Sequence, residues 1–99
     1  MRLSKLQINI IKNEVANLFS NSAKVFLFGS RTNNNAKGGD IDLLIEFDKK
    51  KDNLYRNILT LNRNIQKQLG EQKIDIISVY PGKKTQDIHK EAIKTGIPL

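Results

Sequence analysis

The sequence predicts an α+β (mixed α/β) fold in which a three-stranded mixed β-sheet is covered by three to four helices, in a single domain over residues 1–99. Short apolar runs bounded by turn-forming residues indicate the strands. Apolar residues that recur at steps of three and four indicate the helices. A chain of 99 residues, 38% hydrophobic and 27% charged, has the composition of an ordinary globular domain with one modest core.

Three segments have the spacing of amphipathic helices. Residues 4–20 carry an apolar stripe, and Ser4 is a candidate N-cap. Residues 54–69 repeat leucine and isoleucine at steps of four, three, four and four. A shorter helix is predicted over residues 85–94, with Thr85 as its cap.

Three runs read as strands. Residues 25–28 are continuously apolar. Residues 40–47 (DIDLLIEF) and 73–80 (KIDIISVY) alternate in part between polar and apolar side chains. The second and third strands are joined through a helix, which predicts a parallel pair. The first two are joined only by residues 29–39, whose glycines and asparagines indicate a loop, so that antiparallel pairing is permitted. Gly96 is expected to end this last helix; Pro98 and Leu99 follow it, and no further element is expected after them.

Composition excludes several classes of protein. No apolar run approaches the roughly 18 residues of a membrane helix, and the mixed charges of the N-terminal segment do not fit a secretory leader. The absence of cysteine excludes disulfides and thiolate chemistry and is compatible with the cytoplasm, which is the expected location. The net charge of +7 comes from dispersed lysines, so nucleic acid is not the expected partner.

The strand at residues 40–47 carries the first chemical signal. Its apolar residues 41, 43 and 45 share one face, while Asp40 and Asp42 share the other, about 6.6 Å apart along the strand. Two carboxylates directed at one place repel each other unless a cation lies between them, and Mg²⁺ prefers such hard oxygen ligands. Asp75 lies between two isoleucines of the third strand, where burial of an unpaired carboxylate is costly, and we expect it to face the same site.

The residues after the first strand suit a phosphate group. Gly29 has no Cβ, so the backbone can approach a ligand closely. Ser30 offers a hydroxyl and an N–H, and Arg31 offers a charge-assisted contact. A metal pair beside such a loop is what two-metal phosphoryl and nucleotidyl transfer requires.

The order of these motifs, Gly-Ser, nine residues, Asp-x-Asp and then a lone Asp on a later strand, resembles the DNA polymerase beta-type nucleotidyltransferase superfamily. Within it, the short chain and the DIDLLIEF strand resemble the minimal nucleotidyltransferases (MNT), which are often the antitoxins of HEPN toxins. The resemblance covers the chain from residue 25 through the closing helix. It implies the nucleotidyltransferase fold, transfer of AMP from ATP to a tyrosine of the toxin (AMPylation), and neutralisation of that toxin.

The resemblance also assigns roles to individual residues. Gly29 and Ser30 would bind the triphosphate. Asp40 and Asp42 would ligate two Mg²⁺ ions, and Asp75 would ligate the catalytic ion and help to deprotonate the acceptor. The implied partners are a nucleoside triphosphate and a HEPN-type toxin protein; no membrane partner is expected, and homo- or hetero-oligomers are both compatible with the sequence.

Several alternatives remain open at this point. The chain could be a non-catalytic antitoxin that neutralises its partner by binding, or it could transfer a nucleotide to a small molecule or RNA. Asp40 and Asp42 could be the polar face of an edge strand, and Asp75 could pair with Lys73 or another basic residue. His89, the single histidine, is interpreted as a surface or packing residue.

Overall fold

The structure, a computed structural model, describes residues 3–32 and 40–99, apart from the side chains of Asn21 and Ser30. The predicted loop at residues 29–39 is therefore only partly described, since residues 33–39 lie outside these ranges. No helix in the described part of the chain is both long enough and apolar enough to cross a bilayer. The elements are the helices α1 (Lys5–Phe19), α2 (Leu54–Leu69) and α3 (Asp87–Thr95), the strands β1 (Ala23–Phe28), β2 (Ile41–Phe47), β3 (Ile74–Val79) and β4 (Ile97–Pro98), and 3₁₀ turns at Ser20–Ser22 and Gly29–Thr32.

The sheet has the strand order β3-β2-β1-β4. β2 and β3 are parallel and are connected through α2, as predicted, while β1 is antiparallel to β2. This mixed α+β architecture confirms the predicted fold class.

The fourth strand corrects the prediction that nothing follows the last helix. Ile97 and Pro98 pair antiparallel with β1, and the Leu99 N–H donates to the Val25 carbonyl over 3.0 Å. Two residues are too few to show a period of two, and Pro98 has no N–H to donate to a ladder. A strand that contains proline is confined to a sheet edge, which is where β4 lies.

Helices α1 and α3 both begin with a capping box, in which the N-cap residue and the residue three positions later are joined by side-chain to backbone hydrogen bonds. At α1 the Gln7 side-chain oxygen accepts from the Ser4 N–H at 2.8 Å, and the Ser4 hydroxyl accepts from the Gln7 N–H at 3.1 Å, which confirms Ser4 as the N-cap. At α3 the cap is Gln86 rather than the predicted Thr85, and the Gln86 N–H donates to Nδ1 of His89 at 3.1 Å.

One face of the sheet holds the main core. Ile41, Leu43 and Ile45 of β2 are fully buried against α1 and α2, as the alternation in β2 predicts. Phe19 and Phe47 add an edge-to-face ring contact with centroids 4.9 Å apart.

The opposite face is only partly covered. A smaller cluster of Phe28, Leu44, Val79 and Ala92 packs α3 onto the sheet. Along β2 this cluster begins at Leu44, two residues after Asp42 on the same face, and on β1 it includes Phe28, which is paired directly with Asp42.

β3 is the outer strand beside β2, and two of its outward carbonyls are bonded by side chains. Asn62 Nδ2 donates to the Ile74 carbonyl at 2.8 Å. Lys83 Nζ donates to the Ser78 carbonyl at 2.6 Å and to the Ser78 hydroxyl at 3.1 Å. These bonds tie the outer strand to α2 and to the turn that follows β3.

Candidate active site

The parallel register of β2 and β3 places Asp42 directly beside Asp75. Residues paired directly across two neighbouring strands point to the same face, so both carboxyl groups lie on one face of the sheet. Asp42 is half-buried, whereas Asp75 is exposed. The prediction that Asp75 lies within a core strand is wrong. β3 is an outer strand, and solvent reaches the Asp75 side chain.

The electrostatic environment of Asp42 is that of a group close to other negative charges. Burial, followed by the charges of Asp75 and Asp40, raises the pKa of Asp42, and the charge of Lys73 acts in the opposite direction. The hydrogen bond with Asp75 raises this pKa further. A cation between these carboxylates would relieve the repulsion.

Asp40 takes part in this site from the residue before β2. Its Oδ2 lies 3.4 Å from Lys73 Nζ, with 44% of the Asp40 side chain and 70% of the Lys73 side chain exposed. Lys73, which was considered as a partner for Asp75, thus contacts Asp40 instead. The sequence analysis missed Lys73 as part of the site, although it lies two residues before Asp75 and alternation places both on one face.

The chemistry of the donors fits a divalent metal, although the side chains do not form a closed cluster. Within residues 3–32 and 40–99, no three histidine, aspartate or glutamate side chains stand close enough together to hold an ion. The Asp42–Asp75 pair nevertheless supplies hard oxygen ligands, and the charges of Asp75 and Asp40 repel that of Asp42.

Gly29 forms the other wall of the site. Its φ of 76° is in the left-handed region, and a Cβ at this position would overlap Oδ2 of Asp42 and lie 3.1 Å from its Cγ. The Thr32 hydroxyl closes the turn by donating to the Gly29 carbonyl at 2.7 Å. Only glycine therefore lets this backbone turn lie against Asp42.

The other predicted phosphate-binding residues belong to the same turn. Arg31 is half-buried within the 3₁₀ segment Gly29–Thr32. The predicted role of the Ser30 hydroxyl falls on a side chain outside the described part of the structure.

Two simpler interpretations are resolved. β2 lies between β1 and β3, so Asp42 is not on the polar face of an edge strand. His89 is buried, which excludes the surface position.

The fold and this aspartate site together define a nucleotidyltransferase-type domain. A family profile described as "Polymerase beta, Nucleotidyltransferase" matches residues 9–99, and the chain belongs to this family. Its general reaction is accordingly nucleotidyl transfer. No curated protein matches the chain.

Proposed function

We propose that this chain is a magnesium-dependent nucleotidyltransferase that transfers AMP from ATP to a tyrosine of a partner HEPN-type toxin and thereby acts as an antitoxin. The observation that carries the catalytic part is the Asp42–Asp75 pair beside the Gly29 turn. The toxin and its tyrosine come from the resemblance to minimal nucleotidyltransferases.

The position of each residue determines its role in the proposed reaction. The backbone at Gly29, with Ser30 and Arg31, binds the triphosphate on the β1 side of Asp42. Asp75, on the β3 side, is the carboxylate most open to solvent and accepts the proton of the acceptor hydroxyl. Asp40, Asp42 and Asp75 would hold two magnesium ions, which when bound activate the hydroxyl and neutralise charge on the pyrophosphate.

The transfer is balanced within these groups. The acceptor oxygen forms a bond to the α-phosphorus, and the bond from that phosphorus to the bridging oxygen breaks. Pyrophosphate leaves with the electron pair, and the hydroxyl proton passes through the carboxylate to solvent.

The test uses the purified chain with its partner toxin, ATP and Mg²⁺, followed by intact-mass measurement of the partner. We expect the partner to gain the mass of one AMP, and Asp75→Asn to abolish the gain. Glu46→Gln is the matched control, because Glu46 is an exposed acid farther along the same face of β2. No mass gain with any nucleoside triphosphate contradicts the proposal.

A second candidate is an antitoxin that neutralises its partner by binding alone. Two observations favour it: Asp40 contacts Lys73, and the described side chains form no closed metal cluster. In this case Asp42→Asn would protect cells from the toxin as well as the unmodified chain does. Loss of protection with intact binding of the toxin excludes it.

A further inference from the structure

A groove runs along the free edge of β3. The groove lies between α2, β3 and the first turn of α3 and has a volume of about 570 Å³. Its apolar wall includes Leu54, Ile58 and Ile76. Asp75, Lys83 and His89 line the same space, together with Tyr55 and Tyr80. The groove is thus continuous with the aspartate site on the β3 side.

His89 offers this groove a hydrogen-bond donor. The side chain is only 8% exposed, and its Nδ1 accepts the Gln86 N–H at 3.1 Å. Burial and the charge of Lys83 lower the pKa of His89, which favours the neutral ring. In a neutral imidazole whose Nδ1 accepts, Nε2 carries the proton. The Nε2–H is therefore the group that His89 can donate to a ligand.

Lys83 is fixed beside this donor. Its Nζ is held by the two bonds to Ser78 and lies 5.7 Å from the centroid of the Tyr80 ring. The polar end of the groove is consequently ordered before any ligand binds, which lowers the entropic cost of binding.

The direction of transfer determines what the groove can hold. In nucleotidyl transfer the attacking and leaving oxygens are roughly in line on opposite sides of phosphorus. A triphosphate at the Gly29 turn lies on the β1 side of Asp42, so the acceptor has to approach from the β3 side.

We propose that the groove along β3 binds the acceptor, a polypeptide segment that carries an aromatic hydroxyl, and that His89 positions this segment by donating its Nε2–H to a carbonyl oxygen. The inference rests on the proposed function and adds the place where the acceptor binds. The apolar wall favours an aromatic ring over a ribose or an aliphatic hydroxyl. His89 acts as a positioning residue, since the reacting hydroxyl is next to Asp75.

The first experiment measures binding without nucleotide or metal. N-acetyl-L-tyrosinamide is titrated into the ¹⁵N-labelled chain, and amide shifts are followed by NMR. We expect saturable shifts at Ile76, Ile77 and His89, with uridine monophosphate giving weaker shifts there. Shifts confined to β4 or stronger groove binding by uridine monophosphate overturn the proposal.

Substitutions at positions 89 and 7 distinguish the loss of the donor from the loss of a helix cap. His89→Met removes both, whereas His89→Gln keeps a cap acceptor and a donor, as Gln7 does for its own cap in α1. Gln7→Met is the matched control, because it removes the equivalent cap bond away from the groove. We expect about fivefold to tenfold weaker binding in His89→Met alone. Equal losses in Gln7→Met, or no loss in His89→Met, contradict the role of His89.

A second pair of variants avoids buried positions. Leu59 lines the groove and is 53% exposed, while Ile93 on α3 is 55% exposed and does not line it. Leu59→Asn should weaken binding of the tyrosine probe and raise KM for the partner with little change in KM for ATP, and Ile93→Asn should change neither. If the tyrosine probe binds at the groove but no transfer occurs, the proposed function is refuted and the groove as a binding site is not. If transfer occurs and the KM for the acceptor is unchanged in Leu59→Asn and His89→Met, the groove as the acceptor site is refuted and the proposed function is not.

Discussion

Leu43 and Asp42 are adjacent residues of β2 with opposite surroundings. Leu43 is fully buried under α1 and α2, whereas Asp42 is half-buried on the opposite face of the sheet, beside Asp75. The first side chain stabilises the fold by removing apolar surface from water. The second is held where burial and then the neighbouring like charges raise its pKa, an arrangement that is unfavourable for stability. The comparison indicates that one strand carries stability on one face and chemistry on the other.

The largest expected effect is on the core face. Leu43→Ala should lower the free energy of unfolding by about 2–5 kcal/mol, because it leaves a cavity in a fully buried layer. Urea denaturation followed by circular dichroism measures the change. Leu59→Ala, an exposed leucine on α2, is the control and should stay within about 0.5 kcal/mol of the unmodified chain.

On the aspartate face, the main expected effect is on activity. Asp42→Asn should reduce the rate of nucleotidyl transfer by at least about 100-fold, comparable with the removal of one essential electrostatic contact in an active site. The free energy of unfolding at neutral pH should not fall, since the substitution removes a repelled charge. A loss of stability as large as that of Leu43→Ala would show that the two faces are not separable.

The pH dependence sharpens this expectation. Because the pKa of Asp42 is raised above 3.8 in the folded state, the folded chain binds more protons than the unfolded chain between 3.8 and that raised pKa. The stability that Asp42 contributes is fully present below pH 3.8 and is lost as pH rises through the raised pKa. Asp42→Asn should therefore gain stability relative to the unmodified chain across this window, as measured by denaturation at several pH values.

The next expected effect concerns the contact between the turn and the strand. Gly29→Ala should cost about 1–3 kcal/mol of stability through strain at positive φ, and it should also reduce transfer because the new Cβ displaces the Asp42 carboxylate. Gly70→Ala is a close control, since Gly70 has a φ of 88° but nothing within 4 Å of an added Cβ. Gly70→Ala should lose stability through the same backbone strain but keep its activity. Equal losses of activity in both variants would contradict the role of the contact between Gly29 and Asp42.

The smallest expected effect is at Lys73. Its ion pair with Asp40 is largely exposed, so Lys73→Met should change the free energy of unfolding by less than about 1 kcal/mol. The charge of Lys73 lowers the pKa of Asp42, so its removal should move the acidic limb of the pH–activity profile to higher pH. An unchanged profile would show that Lys73 does not act on the aspartate site.

The fold could be predicted from patterns that span several residues, whereas contacts between individual residues could not be predicted. The alternation in β2 predicts which residues face the core, and a helical crossover predicts that β2 and β3 are parallel; together they bring Asp42 and Asp75 to one face. The outer position of β3, and with it the exposure of Asp75, depends on strand order, which no local pattern encodes. The same holds for the contact of Gly29 with Asp42, because it joins residues that are distant in sequence.

The side-chain bonds to the Ile74 and Ser78 carbonyls have a consequence for self-association. A strand from another copy that extended the sheet at β3 would compete with Asn62 and Lys83 for these two outward carbonyls. Pairing along the whole strand would break both side-chain bonds, which costs free energy. The two bonds therefore disfavour sheet extension through β3.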